Sequence, residues 1–402
     1  MKRYWKIITL SIVTVLIIGT FYIQSSLAAE QNTTIDFEKV SGNEEEINDL
    51  LLSGDYVVGN LNQSLQITNK ETINLTNQSF FQRLTRVNNG PIIKKLINQY
   101  RSFMRGKELN PAAFYEDEKL VAYANIIDPD SRDASIDVDF FNKKSEETTS
   151  IQLDVPKNET YSWMDVVDVQ VIAGNLKVIT RGFQTKGGSD LNVYTINIAE
   201  QKLVKNEVIY TTPPVENGGS DLFVMNDDNS IKPEKYLLLK LDVYGEQPAQ
   251  DNGEMGSEAG PQVVSNEVMV YDLETNQLEK IGVPDEMLGS INNLAAVSQS
   301  SIYIPSQTAK GIEVNTYDIK NQKWGTKLTI EIVQNKNGES SPYMKLIYDK
   351  LYIIQATPTG HTIQIRDLKT GKSLYEGKLK VKNTNQGQKD YQLFINEIEK
   401  IQ

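Results

Sequence analysis

Cysteine is absent from the 402 residues, and histidine occurs once, as His361. The first absence excludes disulfides, thiolate nucleophiles, Cys/His zinc sites and a thioether-linked lipid anchor. The second leaves one candidate imidazole base, placed directly after Gly360 at the start of a strand-like run. A structural or solvated histidine is the ordinary reading of such a residue, and a catalytic base is the alternative. The Gly-x-Ser-x-Gly elbow, the Gly-x-Gly-x-x-Gly turn and the P-loop are also missing. No cofactor and no metal site is implied. Basic residues are outnumbered, 41 against 53 acidic ones, for a formal charge of −12. That argues against general nucleic-acid binding.

What the chain does have is repetition. Val268–Leu278 reads as a strand, a turn at Asp272-Leu273-Glu274-Thr275-Asn276 and the start of a second strand. Similar stretches begin at Val314, Ile363 and, more loosely, Val193, with a weaker copy from Ser135. Apolar residues at alternate positions, such as Val268 and Val270, mark half-buried strands. Asp272, Asp318 and Asp367 stand where those strands end, able to accept backbone N–H bonds from the turn. Asn276, Asn321 and Gly371 are expected to supply the left-handed residue of each hairpin. The Asp-to-Asp spacings are 318 − 272 = 46 and 367 − 318 = 49. Four-stranded propeller blades repeat at about 40–50 residues. The gap of 75 from Asn197 to Asp272 requires an insertion.

These repeats resemble those of the Trp-Asp-repeat and quinoprotein-like β-propeller superfamilies, over most of residues 54–402. Trp-Asp is replaced by Tyr271-Asp272, Tyr317-Asp318 and Arg366-Asp367, and the quinoprotein-type Thr-Gly-Lys occurs once, at Thr370-Gly371-Lys372, without the following Trp. The resemblance implies the fold and carries over no active site. The expected architecture is an all-β propeller with units near 112–156, 163–211, 220–283, 291–333 and 343–381. The N-terminal strands within 54–76 and the C-terminal strand within 391–401 would share a further blade and close the ring. This gives six blades, with seven the alternative count.

The remaining segments break the pattern. Residues 1–29 carry Lys2, Arg3 and Lys6 ahead of an apolar run from Ile7 to Ile23. They read as a transmembrane anchor or, with Ser26-Leu27-Ala28 as cleavage site, a signal peptide. The rest of the chain is then outside the cytoplasm, held at the cell membrane in a single pass or secreted. Residues 30–53 read as an acidic linker, and 245–262 as a flexible insertion. Residues 83–107 hold seven basic residues and no acidic one. Pro91 opens a short basic amphipathic helix there, expected over 91–105. Lys94, Lys95, Arg101 and Arg105 on its polar face are either ordinary solvation or a dock for anionic lipid or an anionic envelope polymer.

The motif Gly-Gly-Ser-Asp-Leu occurs twice, at Gly187–Leu191 and Gly218–Leu222. In a propeller, loops at these positions share one face. Asp130, Asp133, Ser189, Asp190, Ser220, Asp221 and His361 then form a candidate polar ligand-binding rim, against the plainer reading of turn chemistry. Asp128-Pro129-Asp130 with Asp133 lacks the spacing of a dedicated calcium loop. The function expected is a membrane-tethered extracytoplasmic binding, sensing or scaffold module, with an envelope protein as a further possible partner. The alternative is an envelope-facing enzyme, either a carboxylate-based glycan hydrolase or lyase or a quinoprotein-like oxidoreductase.

Overall fold

A computed structural model describes residues 5–29, 33–76, 90–130, 133–156, 158–215, 218–226, 230–245, 263–288, 291, 294–309, 311–325, 327–332, 341–357, 360–382 and 391–401. The chain divides into two compact units: residues 1–88, 333–345 and 349–402 in the first, and 89–332 with 346–348 in the second.

Helix α1 (Trp5–Ala29) opens the first unit. Strands β1 (Thr34–Gly42), β2 (Leu50–Val58), β3 (Leu61–Ile67) and β4 (Thr72–Asn74) follow. The second unit carries α2 (Pro91–Gln99) and a run of strands. These are β5 (Phe114–Glu116), β6 (Leu120–Ile127), β7 (Ser135–Asn142), β8 (Thr148–Asp154), β9 (Tyr161–Ile172), β10 (Asn175–Gln184), β11 (Ser189–Asn197) and β12 (Lys202–Thr211). Next come β13 (Gly219–Val224), β14 (Tyr236–Tyr244), β15 (Val263–Asp272), β16 (Gln277–Ile281), the short helix α3 (Asp285–Leu288), β17 (Ala296–Ser298), β18 (Ser301–Thr308), β19 (Gly311–Asp318), β20 (Lys323–Trp324) and β21 (Leu328–Ile330). The chain ends with β22 (Tyr343–Ile347), β23 (Lys350–Thr357), β24 (Gly360–Asp367), β25 (Ser373–Lys382) and β26 (Gln392–Lys400).

Among the described residues these strands form six antiparallel sheets in sequence order: β5–β8, β9–β12, β13–β16, β17–β21, β22–β25 with β1 added, and β26-β2-β3-β4. Five of them fall on the five expected repeat units. The fold is all-β, made of repeated, mostly four-stranded sheets. In the second unit, consecutive sheets pack face to face. One apolar cluster joins the first two through Ala122, Ile136, Val166 and Val178. A second joins the next pair through Ile179, Val193, Leu237 and Met269. A third joins the last pair through Leu238, Val270, Ile302 and Ile304. Central strands such as β14 are therefore covered on both faces, which explains the unbroken apolar run Leu237-Leu238-Leu239.

The repeat hairpins share one device. In each, an Asp or Asn ends a strand and its side chain accepts a turn N–H, and the fourth residue beyond it has positive φ. Asp272 takes the N–H groups of Glu274 (2.8 Å) and Thr275 (3.0 Å), and Asn276 has φ 60°. Asp318 takes Asn321 N–H at 3.0 Å with Gln322 at φ 52°, and Asp367 takes Thr370 N–H at 2.7 Å with Gly371 at φ 70°. Asn142 with Glu146 (φ 58°) and Asn197 with Gln201 (φ 54°) complete the set. Position, not residue type, selects the left-handed site, so Gln322 occupies it and not Asn321 as expected. Asn321 is held instead by its amide on Asp318 Oδ2, at 2.8 Å.

Two expectations change. The acidic linker is folded: β1 adds to β25 as a fifth strand, from Thr34↔Lys382 to Gly42↔Tyr375. Asp36 pairs outward with Lys382 and Glu38 with Lys380, the half-buried Glu46 pairs with Lys350 (2.6 Å), and Ile35, Ile47, Leu50 and Leu52 are buried. The charge count concealed this alternation. The basic helix stops at Gln99, because Tyr100 leaves helical geometry (φ −126°, ψ 47°) to set its ring 5.2 Å from that of Phe141. Among the described residues no helix is long and apolar enough to cross a membrane. Of the insertion, residues 246–262 lie outside the described residues, as do Arg83 and Arg86.

The sheet shared by the chain ends is specific about contact. β26 runs along β2 from Leu50↔Lys400 to Val57↔Gln392, and a Cβ on Gly54 would lie 2.4 Å from the carbonyl oxygen of Phe394. Gly54→Ala is expected to cost about 1–3 kcal/mol in urea unfolding, as an overpacked contact. Deleting 391–402 should destabilise the first unit further by baring β2 as an edge. Unchanged melting of both variants would remove this pairing from the stability of the fold. At the hairpins, Gly371→Val should cost about 1–2 kcal/mol and Gly371→Asn clearly less, since the strain is in φ. Equal losses would show that φ is not what the site demands.

Candidate functional site

The first Gly-Gly-Ser-Asp-Leu motif forms the turn between β10 and β11. Gly187 and Gly188 have φ 90° and 83°, and a Cβ on Gly188 would meet Thr212 Oγ1 at 2.9 Å. The turn closes with Gln184 N–H on Gly188 O, at 3.0 Å. Ser189 is buried and donates its backbone N–H to Thr212 Oγ1 (2.8 Å), while Thr212 N–H returns to Ser189 O (2.9 Å).

Asp190 follows at the end of a sheet, where strand ends converge. It is buried, and three strands donate to it: Tyr161 of β9 to Oδ2 at 2.9 Å, and Gln184 of β10 and Thr211 of β12 to Oδ1 at 2.7 Å each. Burial first, and then Asp190, push the Tyr161 phenol up to about 12, so it remains a protonated donor at neutral pH. Asn192, two residues on and so on the same face of β11, is 2% exposed. Its Oδ1 lies 3.1 Å from the Tyr161 hydroxyl, and its Nδ2 has no hydrogen-bond partner. A phenol has one proton, and Tyr161 directs it to Asp190. Setting the amide the other way would let it donate to the phenol oxygen but would orphan Oδ1 instead. One amide atom is left over in either setting.

Tyr161, Gln184, Asp190 and Asn192 line a cleft of about 600 Å³, with Pro156, Glu159 and Thr160, Thr185 and Lys186 of the turn, and Asn206 and Val208 of β12. Just outside it, Trp163 and Phe183 stand opposite one another on β9 and β10, 47% and 38% exposed. Arg181 lies over the Phe183 ring at 5.0 Å and pairs with Asp165 at 2.8 Å.

The second motif enters β13. A Cβ on Gly218 would come within 2.2 Å of Tyr244 O, and Ser220 Oγ donates to Pro213 O at 3.5 Å. The two motifs therefore flank one connection, Thr211-Thr212-Pro213. Asp221 is exposed, opposite Asp242. Burial first, and then Asp221, raise the Tyr244 hydroxyl. Asp242 itself is buried against Lys240 at 2.7 Å. Asp130 and Asp133 are exposed at the β6–β7 turn, where Asp128 has φ 51°. Among the described residues no group of three or more His, Cys, Asp or Glu could hold a metal ion. His361 belongs to the other unit. It sits in β24, buried, with Nδ1 lacking a hydrogen-bond partner and its ring centroid 6.0 Å from that of Tyr391.

The basic segment is largely spent on packing. Glu116 takes Lys95 (3.3 Å), Lys143 (2.7 Å) and the Tyr100 hydroxyl (2.8 Å). Lys107 pairs with Asp139 in a nearly buried contact. Lys94 is half-buried, which leaves Arg101 and Arg105 as the exposed members of the expected four. Tyr161, Gln184, Asn192 and Thr211 were not anticipated. The one available signal was the polar pair Asp190 and Asn192 in alternation in the buried first half of β11.

No family model matches the chain, and no curated protein matches it. Among solved structures, an uncharacterised protein of Listeria monocytogenes EGD-e is 11% identical over 68% of each chain, with a TM-score of 0.35. Apo AztD of Citrobacter koseri is 10% identical over 68% of this chain and 75% of its own, at 0.29. A luciferin-regenerating enzyme is 11% identical over 66% and 75%, at 0.31. These are β-rich folds, and likeness at this level assigns no activity.

Burial lowers the His361 pKa from 6.5, so the folded protein binds that proton more weakly than the unfolded chain. Its contribution to stability is complete above pH ~6.5 and is lost as the pH falls towards the depressed value. His361→Gln should flatten this acid-side loss in urea titrations between about pH 8 and 5. An identical pH profile would assign the loss to other groups.

Proposed function

We propose that this chain is an extracytoplasmic, membrane-tethered β-propeller of six blades that works as a binding module, with its ligand taken by the cleft around Tyr161, Asp190 and Asn192. The six sheets and the strand pairing of the chain ends support the ring. The basic residues Lys2 and Arg3 ahead of α1, with Lys6 in its first turn, support the orientation. The hydroxyls of Thr9, Thr14 and Thr20 also bond back to the carbonyls of Trp5, Leu10 and Leu16 at 2.8–2.9 Å, an arrangement suited to apolar surroundings.

The observation that carries the binding reading is the state of Asp190. Both of its oxygens are committed to donors, so it orders the cleft and is not placed to move a proton. Glycoside hydrolysis generally requires two working carboxylates, and among the described residues Glu159 is the only other acid lining this cleft. The quinoprotein alternative loses its motif to the hairpin, where Thr370 caps Asp367 and Gly371 supplies positive φ. Of the four residues expected to dock anionic lipid or envelope polymer, Arg101 and Arg105 are the ones exposed for it.

The test is a thermal-shift screen of the full chain against fractions of its own envelope, run beside Asn206→Trp. Asn206 is exposed on the outer strand β12, so the indole fills the cleft without disturbing the core. A ligand present at 100 times its Kd stabilises by about 2.7 kcal/mol. A fraction that stabilises the parent and not the variant supports the proposal; equal shifts, or none in the parent, overturn it. A reporter fused after Gln402 should be active only outside the cytoplasm.

A further inference from the structure

We infer that this cleft takes a neutral, hydroxyl-rich ligand, a sugar or short oligosaccharide, an inference that rests on the binding reading above. The lining is rich in neutral groups that both give and take hydrogen bonds: Thr160, Tyr161, Gln184, Asn192 and Asn206. Charge offers little to an ion. Glu159 and Lys186 are exposed and of opposite sign, and Asp190, the buried charge, is already satisfied by three donors. An anionic ligand would meet two carboxylates and one ammonium. A cation would find no free carboxylate oxygen on Asp190 and a lysine nearby.

Neutral amides suit adjacent hydroxyls, because each presents a donor and an acceptor side by side. Asn192 adds a demand of its own. It is enclosed and has one amide atom unpaired, and a buried polar group in that state destabilises the fold. A hydroxyl both donates and accepts, so it satisfies the amide in either setting, directly or through one bridging water. The volume, about 600 Å³, falls within the range of small-ligand sites. Gln184 and Tyr161 are locked onto Asp190 before any ligand arrives, so little ordering remains to oppose binding.

The experiment is isothermal titration of the full chain in a sugar-free detergent. The probes are neutral oligosaccharides of N-acetylglucosamine and of glucose, and a uronic-acid oligomer. Binding of a neutral probe with an affinity insensitive to salt is expected. Asn206→Ala should weaken it about 3- to 10-fold, the loss of one neutral hydrogen bond. Lys186→Gln should leave that binding insensitive to salt, since the amide still donates a hydrogen bond and a neutral ligand carries no charge for the ammonium to attract. Tighter, salt-sensitive binding of the uronic-acid probe that falls with Lys186→Gln would overturn the neutral class and leave the binding module standing. Failure of every sugar while an envelope fraction still shifts the parent and not Asn206→Trp would overturn the sugar class alone. Failure of both would remove the cleft as a ligand site.

Discussion

One sheet of the first unit is completed only by a pairing between strands from opposite ends of the chain. Leu50 lies opposite Lys400, and β2 is completed only when β26 arrives. Local hairpins can form early, because each needs a few residues and one capped turn. The β2–β26 ladder must wait for almost the whole chain, since loop-closure entropy is met before any contact repays it. The tolerance at that seam is small. Gly54 brings two backbones closer than any side chain would permit, so register and composition are set together at one point.

The hairpins were legible because their information is local. An Asx residue at a strand end and alternating apolar residues mark the repeat, and five sheets fall where those marks predict. The missed features are non-local or masked by composition. Alternation in β1 is hidden by Asp36 and Glu38, whose charges face outward. The end of α2 at Tyr100 is decided by Phe141 on another strand. Asp190 could be singled out from its motif, but its partners come from β9, β10 and β12, and no spacing along the chain announces that Tyr161 and Thr211 meet there. Lys177 is the extreme case: a buried lysine in β10 whose ammonium is held by Leu273 O and Asn276 Oδ1 in the hairpin of the next sheet. Nothing in its own segment distinguishes it from a surface lysine.

The two Gly-Gly-Ser-Asp-Leu copies show how one motif serves two ends. In the first, both glycines adopt positive φ and the carboxylate turns inward to be satisfied by three strands. In the second, Gly218 makes room for a neighbouring carbonyl and Asp221 faces solvent. The sequence is the same, but the strand that receives it differs: β11 is central in its sheet, whereas β13 is an edge. Burial on both sides converts a turn residue into an organising centre, and exposure leaves its twin as ordinary surface.

The position of β1 also has a mechanical consequence. It is the outermost strand of its sheet, joined to β25 through a ladder running from Thr34↔Lys382 to Gly42↔Tyr375, and it precedes β2 in the chain. A pull delivered from the N-terminal side enters at Thr34 and must strip this ladder before it reaches the β2–β26 seam. The outer strand thus serves as a strain relief. In that order of events its ladder parts before the pairing that completes the unit is loaded.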